Sequence, residues 1–205
     1  RVQKFYRRES TVIYPPIETA RSSQPAAISR VNRAYYLSVG RLTYSKRIDL
    51  AIEACNKLKL PLKIVGSGKE EGYLRSVAGP TIEFIGSVSD SKLNELYVGA
   101  KALIFCALDE DFGMVPVEAM AAGIPVVARG QGGVLETVID GKTGVLFKEP
   151  TGESLTDALT TFEKTKKDWT KECLAQAKKF SKERFKKELV EFVNKHSTLT
   201  DLTRS

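Results

Sequence analysis

Short apolar runs alternate with amphipathic segments from residue 35 to residue 148. The apolar runs are continuous instead of alternating with polar residues, which is typical of strands that helices cover on both faces. Strands and helices that take turns along a chain predict an α/β fold with a doubly wound, mostly parallel, Rossmann-like sheet. The predicted strands are "YYLSVG", "PLKIVGSG", "TIEFIG", "KALIFCAL", "IPVVARG" and "TGVLFK".

Turn and capping residues separate these elements. The stretch Ser89-Asp90-Ser91 offers an N-cap for the helix "DSKLNELYVGA", and Gly123, followed by Pro125, ends the helix that follows the fourth strand. Residues 152–162 and 168–195 are predicted to form closing helices. We expect an α/β domain at residues 31–165 and a C-terminal helical segment at residues 166–205. Residues 1–30, with "YPP" and "SSQP", are expected to be a connecting segment from a missing N-terminal domain.

Composition narrows the classes of function. The chain has 205 residues and a net charge of +7, but residues 31–162 carry fourteen basic and sixteen acidic residues, so the central domain is not expected to bind nucleic acid. No apolar run approaches the roughly 18 to 20 residues of a membrane span. The three cysteines lack the spacing of a zinc site or a disulfide framework, and they indicate a reducing compartment.

Charged residues and glycines collect after the predicted strands, where the ligands of an open α/β sheet bind. Arg41 and Lys46 follow the first strand, and they could clamp a diphosphate or be two solvated cations. Arg47 competes with Lys46 for the inward position. "GSGKEEG", with Gly66 and Gly68, is a near-miss of a dinucleotide fingerprint, and it could admit a nucleotide to the backbone or form a tight turn.

The stretch "DEDFGMVPVEAMAAG" combines acidic residues with a predicted helix start. Gly113 at the turn and Pro116 near the first helical position leave the amides of residues 113–115 free for a phosphate. Glu118, expected in the first turn, could accept two ribose hydroxyls, and Glu110 could reach the hydroxyls of a sugar. Phosphate and polyol contacts would then lie side by side.

Other interpretations of these acidic residues stay open. Glu118 could merely complement the helix dipole, the acids could form a solvated loop, or the pair could act as hydrolase carboxylates. "DED" also matches the D-x-D pattern of a divalent metal site, although free helix amides can bind phosphate without an ion.

The tail "KKFSKERFKKELVEFVNK" places apolar residues at helical intervals among lysines. We expect the apolar face, formed by Phe180, Phe185, Leu189 and Phe192, to dock on the domain. A basic face against an anionic membrane surface is the alternative.

"EDFGMVPVE", from Glu110 to Glu118, is an E-x7-E motif, and it occurs together with "VGRLTYSKR", "IEFIGSVSD" and "GGVLETVIDGKTG". In these motifs, residues 11 to about 195 closely resemble glycosyltransferase family 4, and most closely its mannosyltransferase branch. The resemblance implies the GT-B fold, in which two Rossmann-like domains face a cleft. This chain would be the C-terminal, nucleotide-sugar-binding domain without its acceptor-binding partner domain.

Carried over by motif position, the resemblance implies that Arg41 and Lys46 hold the donor diphosphate, Glu118 the ribose and Glu110 the transferred sugar. It implies further contacts in the backbone and loops. The amides of Phe112, Gly113, Met114 and Val115 would bind phosphate or sugar oxygens, while Gly66, Gly68, Ser87 and Val88 would frame the base. It also implies a retaining mechanism without a metal or another cofactor.

We therefore expect the donor domain of a retaining hexosyltransferase, with GDP-mannose as donor and a glycan or a lipid-linked acceptor. It would be inactive in isolation, and it would lie in the cytoplasm or on the cytoplasmic face of a membrane. One alternative is a catalytically inactive nucleotide-binding interaction domain, against which the intact Arg41, Lys46, Glu110 and Glu118 argue. The other is a GT-B nucleotide-sugar epimerase, which would turn over the donor without an acceptor.

Overall fold

The structure, a computed structural model, describes residues 2–17 and 33–201 of the chain. Six parallel strands form one sheet. They are β1 (Tyr35–Val39), β2 (Leu62–Val65), β3 (Ile82–Gly86), β4 (Ala100–Phe105), β5 (Val126–Arg129) and β6 (Gly144–Phe147). All six predicted strands are confirmed, and with them the α/β fold class. The "SSQP" signal of the connecting segment lies outside the described residues.

The strand order is β3-β2-β1-β4-β5-β6. The chain therefore moves outward from β1 in one direction through β2 and β3, then returns to the other side of β1 and moves outward through β4 and β5 to β6. Connections that leave a sheet in opposite directions open a crevice at the carboxyl ends of the two central strands. In this molecule that crevice lies beyond the ends of β1 and β4.

Helices cover both faces of the sheet, as the continuous apolar strands predict. In chain order the helices of the described residues are α1 (Val2–Tyr6), α2 (Ile48–Leu58), α3 (Glu71–Val77), α4 (Asp90–Gly99), α5 (Met114–Ala121), α6 (Val134–Thr137), α7 (Gly152–Lys164), α8 (Thr170–Lys178) and α9 (Lys182–Asp201), of which α1 is exposed at residues 4–6. The N-cap predicted within Ser89-Asp90-Ser91 is confirmed, and the capping residue is Ser89, whose hydroxyl accepts a hydrogen bond from the amide of Lys92 at 3.3 Å. A short 3-10 turn covers Tyr44–Lys46.

The single closing helix predicted at residues 168–195 is wrong, since α8 and α9 are separate. The chain leaves helical geometry to pair with the N-terminal segment. The amide of Ile17 donates to the carbonyl of Phe180 at 2.9 Å, and Ile17 and Ser181 form a parallel bridge. The break also buries the ring of Phe180. Helical periodicity continues across this break, so the sequence pattern did not show it.

The core has two parts, one on each face of the sheet. On one face α4, α5 and α8 pack around Leu37, Leu103, Tyr97, Met120 and Cys173. On the other face α2 and α7 pack around Tyr36, Ile52, Leu62, Ile104 and Leu155. Alternate residues of β1 thus face opposite parts of the core. Each buried side chain of this size contributes about 1.5–3 kcal/mol by leaving water.

A polar network closes the opposite edge of the sheet, near the amino ends of β1 and β4. The hydroxyl of Tyr36 donates to Glu163 at 2.6 Å, and Lys101 donates to the same carboxylate at 2.8 Å. Burial by itself raises the pKa of the Glu163 carboxyl, but the two hydrogen bonds hold it below its ordinary value. This network is therefore sensitive to acid.

Of the apolar face of the C-terminal tail, Phe180 packs on the domain, where its ring meets Phe112. Phe180 is buried, and Phe185 and Phe192 are half-buried, whereas Leu189 is 41% exposed. Within residues 2–17 and 33–201, no helix is long and apolar enough to cross a membrane.

Candidate functional site

The loops after β1 and β4 meet at the carboxyl edge of the sheet. The amide of Leu108 donates to the carbonyl of Ser45 at 2.9 Å, which fastens one loop to the other. Beside this bond, Nζ of Lys46 lies 2.6 Å from Oε2 of Glu110. The structure thus brings together two residues that are 64 positions apart and that the sequence analysis selected from different motifs.

Lys46, and not Arg47, is the cation that pairs with Glu110. Arg47 has a left-handed backbone conformation, and its guanidinium makes a bidentate contact with Asp49, with Nε at 3.0 Å and Nη2 at 2.9 Å from the carboxylate oxygens. That pairing holds Arg47 at the start of α2. The ammonium of Lys46 also lies 5.8 Å from the centre of the Phe105 ring, at the end of β4. Arg41 is exposed two residues after the end of β1.

The amino end of α5 points to the same edge. Gly113 precedes the helix with φ +82°, a left-handed conformation that strains any residue with a side chain. The first amides of an α-helix have no acceptor within the helix and can bind an anion. Pro116 is the third helical residue, not the first, but it still lies in the first turn, where a missing N–H costs little.

The prediction that Glu118 lies in the first turn of this helix is wrong. Glu118 is the fifth residue of α5, one position past that turn. Because the dipole effect falls off within the first turn, dipole compensation gives a poorer account of this carboxylate. The hydroxyl of Tyr97 in α4 lies 3.2 Å from Oε2 of Glu118 and donates to it. Tyr97 is fully buried at 1% exposure, and the sequence analysis did not select it.

The loop between β5 and α6 supports the backbone of the acidic loop. The amide of Gly133 donates to the carbonyl of Glu110 at 2.9 Å. A Cβ atom on Gly133 would overlap the backbone of Asp111 and Phe112, and one on Gly132 would crowd the carbonyl of Glu110. Gly132 and Gly133, the last two residues of "RGQGG", therefore position the backbone of Glu110. The two adjacent glycines are visible in the sequence, but the sequence does not show that the backbone of the acidic loop packs against them.

The side chain of Phe112 packs inward against two other aromatic rings. Its ring stacks on Tyr14 with centroids 5.5 Å apart and meets the edge of Phe180 at 5.4 Å. Segments from both ends of the chain thus hold the acidic loop.

The glycines after β2 have a packing role. A Cβ atom on Gly66 would overlap the carbonyl of Gly40, and one on Gly68 would overlap the backbone of Leu42. These glycines let the loops after β1 and β2 touch. The hydroxyls of Ser67 and Ser87 lie 3.2 Å apart and bridge to the loop after β3, where Val88 is half-buried against the core. A direct approach of the base to Gly66, Gly68 or Val88 stays a prediction.

Comparison with known proteins gives the family. The model of the family described as "Glycosyl transferases group 1" matches residues 21–184. A glycogen synthase of Mycobacterium tuberculosis (strain CDC 1551 / Oshkosh) is 36% identical over 147 residues, which are 67% of this chain and 36% of that protein. The alpha-1,3/1,6-mannosyltransferase ALG2 of Dictyostelium discoideum is 28% identical over 186 residues, covering 70% of this chain and 44% of that protein.

Solved structures of glycosyltransferases share the fold. The apo form of the lipopolysaccharide outer core galactosyltransferase WaaB superposes with a TM-score of 0.78 at 19% identity, covering 95% of this chain and 59% of that one. Anabaena Alr3699/HepE in complex with UDP-glucose superposes with a TM-score of 0.76 at 24% identity, covering 90% of this chain and 57% of that one. The chain spans less than half the length of the two curated relatives. On the family match, this chain belongs to the group 1 glycosyl transferases.

Proposed function

We propose that this chain is the donor-binding half of a retaining hexosyltransferase that takes its sugar from a nucleoside diphosphate. The observation that carries the proposal is the contact of Lys46 with Glu110 at 2.6 Å, beside the amino end of α5. A cation, a set of helix amides and a carboxylate converge there on the crevice between β1 and β4. A nucleoside diphosphate sugar presents the matching groups, which are phosphate oxygens and hydroxyls.

Each group has a chemical role in this proposal. Lys46 and Arg41 stabilise the negative charge that grows on the diphosphate as the sugar leaves, and they do so without a metal ion. The amides at the start of α5 bind phosphate oxygens, since a helix amino end favours anions. Glu110 accepts hydrogen bonds from hydroxyls of the transferred sugar, and Glu118 accepts them from the ribose. The loops that carry Ser87 and Val88 frame the base.

We propose GDP-mannose as the donor. Similarity to a mannosyltransferase supports this choice, whereas the likeness to a structure that contains UDP-glucose supports a uridine nucleotide as the competing donor. The acceptor, a glycan or a lipid-linked sugar, would be bound by a second domain that faces the crevice. Since this chain matches only part of each relative, the chain alone is expected to bind donor without transferring sugar. The exposed face of α9 would contact a cytoplasmic membrane surface.

Calorimetric titration of the chain with GDP, UDP, ADP, GDP-mannose and UDP-glucose, each with magnesium and with EDTA, tests the proposal. We expect metal-independent binding of GDP and GDP-mannose. Preference for the uridine ligands would replace the mannosyl donor but keep the donor domain. Failure to bind any nucleoside diphosphate would refute the function.

A matched pair of lysine variants tests the site itself. Lys46→Ala should weaken diphosphate binding by about ten- to hundredfold, because a charge-assisted hydrogen bond is lost. Lys92→Ala removes a lysine whose partner is Glu95, on the surface of α4, and it should leave binding unchanged. Equal effects of the two variants would contradict the placement of the diphosphate at Lys46.

A further inference from the structure

The hydroxyl of Tyr97 is held in the core beneath the site. Tyr97 lies near the end of α4 and is 1% exposed. Its hydroxyl donates to Oε2 of Glu118 at 3.2 Å. Buried phenols with a polar partner are common in protein cores, but this partner is a carboxylate in a helix that otherwise buries Val117, Ala119 and Met120. The contact joins the core to a half-buried group at the proposed site.

Helix α4 is itself fixed at both ends. Ser89 caps its first turn, directly after the loop that is proposed to frame the base. Near its other end, the hydroxyl of Tyr35 in β1 donates to the carbonyl of Leu96 at 2.9 Å. The phenol of Tyr97 therefore projects from a helix that is anchored to β1, and it reaches Glu118 from a defined position.

We propose that Tyr97 is a positioning residue that fixes the Glu118 carboxylate for the two hydroxyls of the donor ribose, and so makes the site selective for ribonucleotides. This inference rests on the proposed function. A glutamate side chain loses considerable rotamer freedom when it is ordered, and the phenol imposes part of that order before ligand binds. The phenol occupies one acceptor direction of Oε2. The remaining lone pairs of the carboxylate stay available to a vicinal diol.

The length of the hydrogen bond limits the expected effect. At 3.2 Å it exceeds the usual O–H···O distance of about 2.7–2.8 Å, so we expect a contribution typical of an ordinary hydrogen bond. Removing the hydroxyl should weaken ribonucleotide binding about three- to tenfold. It should not weaken the binding of a nucleotide that lacks the ribose hydroxyls, because Glu118 then has nothing to accept.

The test compares GDP and UDP with their 2′,3′-dideoxy forms, which lack both ribose hydroxyls, on the wild-type chain and on Tyr97→Phe, Tyr35→Phe and Glu118→Ala. Tyr97→Phe keeps the ring in the core and removes only the hydroxyl. Tyr35→Phe is the matched control, because it removes a phenol hydroxyl that bonds to the same helix but not to Glu118. We expect Tyr97→Phe to lose most of the preference for ribose, Glu118→Ala to lose all of it, and Tyr35→Phe to retain it.

Double substitution separates positioning from general damage. In the Glu118→Ala background, Tyr97→Phe should have no further effect on nucleotide binding, since two residues that act through one contact are not additive. Equal weakening of ribo- and dideoxyribonucleotides by Tyr97→Phe would indicate a merely structural role and overturn the inference. If the wild type binds ribo- and dideoxyribonucleotides equally well, the inference about Tyr97 is overturned, but the proposed donor-binding function stands. If the wild type binds no nucleoside diphosphate, the proposed function fails and the inference fails with it.

Discussion

Glu110→Gln tests whether the ion pair with Lys46 competes with the donor diphosphate. In the structure the ammonium lies 2.6 Å from the carboxylate, so we expect Glu110 and a bound diphosphate to compete for the charge of Lys46. The substitution keeps the shape of the side chain and removes its charge. It should therefore release Lys46 for a nucleoside diphosphate, and it should weaken the hold on the transferred sugar.

The partial exposure of the pair sets the size of the effect. The side chains of Lys46 and Glu110 are 31% and 23% exposed, so solvent screens their attraction. Pairs of this kind contribute about 0.2–1 kcal/mol, which corresponds to a gain of about 1.4- to 5-fold in the affinity for a nucleoside diphosphate without sugar. Salt weakens exposed ion pairs, so the gain should shrink as ionic strength rises.

Calorimetry with a nucleoside diphosphate and with the matching nucleotide-sugar measures both effects. We expect opposite signs: tighter binding of the diphosphate and weaker binding of the nucleotide-sugar. Glu163→Gln is the control, because Glu163 pairs with Lys101 at 2.8 Å at the far edge of the sheet, and it should change neither affinity. If Glu110→Gln lowers the affinity for the diphosphate and for the nucleotide-sugar equally, Glu110 does not compete with the diphosphate for Lys46.

Three further outcomes concern stability and reactivity. Gly66→Ala should lower the free energy of unfolding in urea by about 2–4 kcal/mol, because the added Cβ would overlap the backbone of Gly40 and the φ angle is +127°. The control is Gly72→Ala, in a helix with open space around this position, and it should be neutral or stabilising. The lowered pKa of Glu163 contributes stability that is fully present above its unfolded pKa of about 4.3 and is lost as the pH falls through the folded pKa. Glu163→Gln should therefore flatten the pH dependence of unfolding on the acid side of about pH 5. Burial raises the pKa of Cys55 and Cys173 to about 12, so both thiols should resist a disulfide reagent at neutral pH in the native protein. Both should react once the protein is unfolded in urea. Rapid labelling of the native protein would contradict their burial.

Much of the fold followed from local pattern. The six continuous apolar runs became six parallel strands, because strands covered on both faces need no polar side. The hydroxyl of Ser89 and the turn at Gly123 mark helix ends through local backbone chemistry, which the sequence shows directly. The break between α8 and α9 did not follow, because pairing with Ile17 is a long-range contact that helical periodicity does not record.

The sequence by itself determined that basic residues, glycines and acidic residues follow the strands. It also determined that a glycine, Gly113, stands directly before the helix that begins at "MVPVEAMA". It did not determine which of two adjacent cations pairs with Glu110. The tertiary structure decided that, since Asp49 pairs with Arg47 and Glu110 with Lys46. It also decided that a buried phenol reaches the Glu118 carboxylate. The physical reason is the same in each case: a side chain takes its direction from partners that the fold brings near, and those partners are distant along the chain.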